Sequence, residues 1–117
     1  KLNEIYTSTY WAIFYYDKSI KITPINPYSL TSRGFCKYKL LDYEGAIDDY
    51  TQIIAIDPTD PDTYYSRALA RDKKGDLEGA LEDCNQAMKI NPKDSSVIQT
   101  IGYLNYKAKR FKEAIYI

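Results

Sequence analysis

Residues 61–94, PDTYYSRALARDKKGDLEGALEDCNQAMKINPKD, decide the fold because the same pattern stands immediately before them. Laid without a gap on residues 27–60, the segment is identical at 13 of 34 positions, where ordinary composition gives about two by chance. The shared residues include Ser32-Arg33 with Ser66-Arg67, Glu44-Gly45-Ala46 with Glu78-Gly79-Ala80, and Pro58 with Pro92. Carried outward, the register places Ala12 and Ala114 in the column of Ala46 and Ala80, and Pro24 in that of Pro58 and Pro92. The repeat runs off both ends. The chain therefore divides into a partial repeat over 1–26 (the end of a first helix, then a second helix), complete repeats over 27–60 and 61–94, and a partial repeat over 95–117. Together they read as one domain cut from an array.

Each unit reads as two helices. In the first, Leu30, Gly34, Lys37 and Leu41 stand at helical spacing, as do Tyr64, Ala68 and Arg71, then Ile98, Ile101, Gly102 and Asn105. The second carries an apolar stripe, Tyr43, Ala46, Ile47, Tyr50, Ile53 and Ile54, matched by Leu77, Ala80, Leu81, Cys84, Ala87 and Met88. Asn26, Asp60 and Asp94 recur as N-caps of the first helices, with Pro27 and Pro61 at the first helical position. Ser8, Asp42 and Asp76 recur before the second helices, and Pro24, Pro58 and Pro92 close each pair.

On these residues the chain resembles the tetratricopeptide repeat family. That family's pattern, W-x2-L-G-x2-Y, then A-x3-F, then P, is met by Leu30-x2-Arg33-Gly34-x2-Lys37 with Ala46-x3-Tyr50 and Pro58. Tyr64-x2-Arg67-Ala68-x2-Arg71, Ala80-x3-Cys84 and Pro92 meet it again. The resemblance implies an all-α fold, a right-handed superhelical solenoid of antiparallel helix pairs with first helices lining its concave side. It also implies a protein-binding scaffold and no enzyme. A branch of the family grips the acidic tail of heat-shock chaperones with a clamp of Lys, Asn and Arg. The clamp columns here hold Thr31, Phe35, Ser66, Ser96 and Thr100, none of them cationic.

The chain departs from the pattern where Arg33 and Arg67 occupy an apolar column. A guanidinium on a packing face must be paired or must reach water along its stem. Units with these arginines carry Asp49 and Asp83 on the second helix, whereas the last unit matches Ile101 with Ile117. Structural ion pairs Arg33–Asp49 and Arg67–Asp83 are the expectation. Beside the packing stripe of the first helices runs a second one, which supplies the candidate partner-binding groove: Tyr28, Phe35, Tyr38 and Lys39, then Tyr65, Leu69 and Lys73, then Tyr103, Tyr106 and Lys107. Aromatic rings with polar tips, edged by lysines, suit an extended or helical peptide. Tyr16, Tyr43, Tyr50 and Tyr64 are assigned instead to packing between helices.

Sixteen basic and sixteen acidic residues cancel over the 117-residue chain, yet unevenly: +1 over 1–26, −3 over 27–60, −1 over 61–94 and +3 over 95–117. The acidic middle opposes a continuous track for nucleic acid. Asp48 with Asp49 and Glu82 with Asp83 read as an acidic strip on the convex face. Phe14 and Tyr15 replace that strip in the first unit, so Trp11, Phe14 and Tyr15 form an aromatic region that needs covering. A preceding segment, a second copy or a membrane interface would cover it, the last being least favoured. Homo-oligomerisation through this region and the open ends is thus the alternative to peptide binding, and a regulatory part of a longer enzyme is a third reading. There is no His, and neither Cys36 nor Cys84 has a base to activate it, so catalytic residues, metal ligands and cofactors are not expected. The partner stays unidentified, and so does the compartment, the two lone cysteines fitting the cytoplasm better than an oxidising space.

Overall fold

A computed structural model describes residues 2–116, with side chains over 3–112. The described residues form six α-helices and no strand: α1 (Leu2–Ile22), α2 (Pro27–Lys39), α3 (Tyr43–Ile56), α4 (Pro61–Lys74), α5 (Leu77–Ile90) and α6 (Ser95–Tyr116). The chain is thus of the all-α, helical-repeat solenoid class. It divides into two compact units, Lys1–Pro58 and Thr59–Ile117.

The caps follow the period. Asn26 accepts from the Tyr28 and Ser29 N–H groups (3.1 and 3.4 Å), Asp60 from that of Asp62 (2.9 Å) and Asp94 from that of Ser96 (3.0 Å). Before the second helices, Asp42 accepts from Gly45 N–H at 3.0 Å and Asp76 from Gly79 N–H at 2.9 Å. These side-chain oxygens satisfy otherwise orphaned amides at the positive end of each helix. The link inside each hairpin needs one left-handed residue, supplied by Gly75 (φ 96°) in one unit and by Leu41 (φ 66°) in the other. It lets Asp42 and Asp76 N–H reach back to the Lys37 and Arg71 carbonyls, both at 2.8 Å.

In the first unit Leu30, Ala46, Tyr50 and Ile53 form the interior, and in the second Ala68, Ala80, Cys84, Ala87, Val97 and Leu104. Tyr50 packs so close to α2 that a Cβ on Gly34 would come within 2.9 Å of its ring. Tyr16, Tyr43 and Tyr64 are half-buried.

At both ends the helices depart from the expected units. The first helix of residues 1–26 does not end before Ser8, because α1 runs unbroken from Leu2. Ser8 caps nothing: its hydroxyl donates to the Ile5 carbonyl (3.0 Å), while Thr7 and Thr9 donate to those of Asn3 and Ile5 (2.6 and 2.7 Å). Hydroxyls bonded back into the helix replace the capping carboxylate. Likewise α6 passes the position of the hairpin link, since Lys109-Arg110 offers neither the glycine nor the capping aspartate of Gly75-Asp76. The Ala114 side chain and Ile117, both named in the repeat columns, lie outside the described residues.

The two links give opposite expectations. Gly75→Ala lowers stability by about 1 kcal/mol, because the added methyl meets no atom yet forces an L-residue into a left-handed conformation. Leu41→Gly relieves that strain and raises stability by a similar amount, the leucine being mostly exposed. Urea unfolding of each variant measures both.

Candidate functional site: ion-paired helix hairpins and their tyrosine faces

A buried carboxylate holds each hairpin together. Asp49 and Asp83 are each 1% exposed. Arg33 donates from Nε and Nη2 to the two oxygens of Asp49 (2.9 and 2.7 Å), and Arg67 does the same to Asp83 (2.8 and 2.7 Å). One helical turn on, a second cation joins each pair: Lys37 lies 3.5 Å from Asp49, and Arg71 Nη1 donates to Asp83 at 2.9 Å. Arg33 further donates to Asp17 of α1 at 2.7 Å, where a Ser19–Ser29 hydroxyl contact (2.8 Å) also joins α1 to α2. The bond to Asp49 raises the Arg33 pKa against the opposing effect of burial, with Asp17 adding to it. Asp83 does the same for Arg67. The structure therefore brings together all four residues assigned to ion pairs. It also corrects the reading of a convex acidic strip, because only Asp48 and Glu82 are exposed, while Asp49 and Asp83 point into the hairpins.

The tyrosine stripe is distributed over both units. In the first, Tyr28 and Phe35 are exposed, Lys39 places its ammonium 5.5 Å from the Phe35 ring centroid, and Tyr38 packs edge-on against Tyr43 with centroids 5.4 Å apart. In the second, Tyr65 and Leu69 are half-buried, Lys73 is exposed, and Tyr103 and Tyr106 stand out from α6. The Tyr65 hydroxyl meets that of Thr100 at 2.9 Å, and Thr100 donates to the Ser96 carbonyl at 2.8 Å. Lys107, the last of the expected row of lysines, is ion-paired. It donates to Asp72 at 2.7 Å, lies 5.1 Å from the Tyr103 ring centroid, and is held charged chiefly by the Asp72 bond. No periodic signal announces that pair, since Asp72 shares its column with Tyr38 and Tyr106; the Asp17 column continues as Thr51 and Asn85.

On α1, Trp11, Phe14 and Tyr15 form a ring cluster with centroids 5.3 to 6.3 Å apart, and Lys18 sits 4.9 Å from the Phe14 centroid. No helix is long and apolar enough to cross a membrane among the described residues. Nor do those residues gather three metal-ligating side chains. Burial pushes the Cys84 thiol up to about 11, with Asp83 and Asp72 adding to the effect, and it raises Cys36 as well. A nucleophilic thiol needs the opposite shift.

Comparison with known proteins follows the same repeat. A family model described as "Tetratricopeptide repeat" matches residues 61–94, and one described as "TPR repeat" matches 37–75. No curated protein matches the sequence closely. Among solved structures, the first TPR of Spaghetti (RPAP3) bound to the HSP90 peptide SRMEEVD aligns with TM-score 0.83 at 21% identity, covering 88% of this chain and 82% of the other. MamA from Desulfovibrio magneticus aligns with TM-score 0.84 at 24% identity, over 94% of this chain and 62% of that one. The second TPR domain of human RPAP3, in complex with the HSP70 peptide SGPTIEEVD, gives TM-score 0.75 at 24% identity, covering 80% and 78%. At these identities the likeness is one of fold.

Two outcomes test the hairpin chemistry. Asp83→Ala strands two cations against the interior and lowers stability by about 3 kcal/mol or more in chemical denaturation. Burial, helped by Asp49, pushes Tyr50 from 10.0 up to about 12. The folded state thus keeps a proton that the unfolded chain releases first. The stability from this group is complete below pH 10 and is lost as pH rises toward 12. Alkaline unfolding curves of wild type and Tyr50→Phe should diverge in that window, with the variant falling less steeply.

Proposed function

We propose, from the premise that this chain belongs to the tetratricopeptide repeat family, that it is a protein-interaction scaffold whose first helices capture a peptide or protein segment on their tyrosine faces. The observation that supports this reading most directly is a division among the aromatic residues. Tyr28, Phe35, Tyr103 and Tyr106 stay exposed on one stripe, with Tyr38 and Tyr65 half-buried, while the packing stripe has Tyr50 buried and Tyr16, Tyr43 and Tyr64 half-buried. An amphipathic ring gives large contact area at small entropic cost, and such residues dominate binding hot spots.

The polar groups around the rings narrow the ligand. Two of the structural neighbours hold peptides ending in EEVD, which suit a cationic clamp. In this chain the corresponding columns carry Thr31, Phe35, Ser66, Ser96 and Thr100, and the Thr100 hydroxyl is already engaged by Tyr65. Lys107 is neutralised by Asp72. A segment with apolar and hydroxyl-bearing side chains therefore fits better than a free acidic terminus. The self-association reading draws on other residues, Trp11, Phe14 and Tyr15, and is separable from this one.

Selection of a displayed random-peptide library on the 117-residue chain tests the proposal. Selected peptides should lose about tenfold or more in affinity when Tyr28 and Tyr103 are changed to Ala, and an EEVD-terminated peptide should not compete with them. Both tyrosines are exposed, so the fold stays intact. Peptides that bind the double variant as tightly as the wild type would place the binding surface elsewhere.

A further inference from the structure

Within the unit Thr59–Ile117, two side-chain contacts join α4 directly to α6, the next helix in the same position of the repeat. The Tyr65 hydroxyl meets that of Thr100 at 2.9 Å, and Lys107 donates to Asp72 at 2.7 Å. Each contact spans 35 residues, one more than a whole repeat. Residues 65 and 72 on α4 are about two helical turns apart, as are 100 and 107 on α6. The contacts therefore stand as two rungs, about 10 Å apart, between helices that run in parallel.

Between the rungs each helix offers one apolar group. Leu69 follows Tyr65 by one turn and precedes Asp72 by another, so the three share a face of α4. Tyr103 stands in the same way between Thr100 and Lys107 on α6. Leu69 is only half-buried and Tyr103 is 53% exposed, so packing within the unit leaves surface on both. One repeat earlier the rung columns hold Thr31 with Ser66 and Tyr38 with Lys73. Threonine is shorter than Tyr65, and position 38 carries no carboxylate, so this frame of residue types occurs at 65–107 and is not repeated there.

The rungs differ in what they offer a ligand. Thr100 spends its one hydroxyl proton on the Ser96 carbonyl, so Tyr65 is the donor between the two hydroxyls, and its oxygen keeps lone pairs that can accept from a peptide N–H. The ion pair at the other end is closed on itself. Its side chains are 28% and 12% exposed at Lys107 and Asp72, and the Lys107 ammonium also lies 5.1 Å from the Tyr103 ring centroid. A ligand carboxylate brought here meets Asp72 as a like charge, and a ligand cation meets Lys107. Either must part the bond between them to find its own partner, whereas an apolar side chain leaves the pair intact.

We propose that the two rungs frame a subsite for one uncharged, apolar side chain of the captured segment, seated between Leu69 and Tyr103, and that the Asp72–Lys107 pair excludes acidic and basic residues from it. The subsite rests on the reading of this stripe as a peptide-binding surface and adds the chemistry that it selects. An extended segment advances about 3.3 Å per residue with side chains alternating in direction. About three residues thus span the rungs, the middle one pointing between them while its neighbours point away, and a backbone N–H at one end is within the compass of the Tyr65 oxygen. Asp72 and Lys107 set specificity here through their bond to each other.

Affinities of peptides selected on the wild-type chain test the subsite. One position of such a peptide should demand an apolar residue, and placing Glu or Lys there should weaken binding about tenfold or more. Asp72→Asn leaves Lys107 unpaired and should restore about tenfold to the Glu peptide alone. Lys107→Met leaves Asp72 unpaired and should restore a similar factor to the Lys peptide alone. Both variants should keep the helical circular dichroism of the wild type, since neither residue belongs to the core of the unit; if one fails to fold, the charge switch in the other decides. Selected peptides that weaken with Tyr28→Ala, yet show no apolar position or the same charge preference in both variants, overturn the subsite and leave peptide capture standing. A chain that selects no peptide overturns both.

Discussion

A carboxylate removed from water cannot stand alone, and that constraint organises both complete hairpins. Asp49 and Asp83 sit where the second helix turns toward the first, and each is met by two cations one helical turn apart, at 33 and 37 or at 67 and 71. The planar guanidinium takes both carboxylate oxygens at once, which fixes the helices in rotation and translation more narrowly than apolar contact does. Such a pair adds little over a well-packed apolar isostere, but losing one partner is costly. Its value here is register: Gly34 beneath the Tyr50 ring, and the Lys37 and Arg71 stems over Gly45 and Gly79, fit only with the helices held at that offset.

The outer stripe of the first helices carries rings and hydroxyls beside Lys39, Lys107 and the exposed Lys73. Lys107 and Asp72 cancel each other, Tyr65 and Thr100 satisfy each other, and Lys39 lies over Phe35. The surface that results favours contact area and adaptable hydrogen bonding over Coulombic attraction. Where the ion pair is absent, Ile101 packs against the apolar core of the second unit and Tyr15 lies exposed among the rings of α1.

Much of this is legible in the sequence. The fixed period gave the helix pairs, Asp42, Asp60, Asp76 and Asp94 marked helix starts because a short acidic side chain is what orphaned amides need, and the joint switch of the columns of Arg33 and Asp49 pointed to direct pairing. The ends depart from the period. A periodic column suggests a cap at Ser8, but a hydroxyl can bond back into its own helix, and without a left-handed residue α1 and α6 simply continue. The columns of Asp49 and Asp83 suit both ion pairs and a solvated strip, a choice that composition cannot make because burial is a property of the neighbours.

By itself, the sequence determined the repeat, the fold class, the caps and the pairing of the arginine and aspartate columns, since all of these are local or recur at one fixed spacing. Tertiary structure decided which charges remain available. The Asp17–Arg33 and Asp72–Lys107 bonds join residues whose columns do not repeat, so no period reveals them. The open space at Gly102 and the closed one at Gly34 involve the same residue type in the same column. Only the presence or absence of a packed neighbour tells them apart.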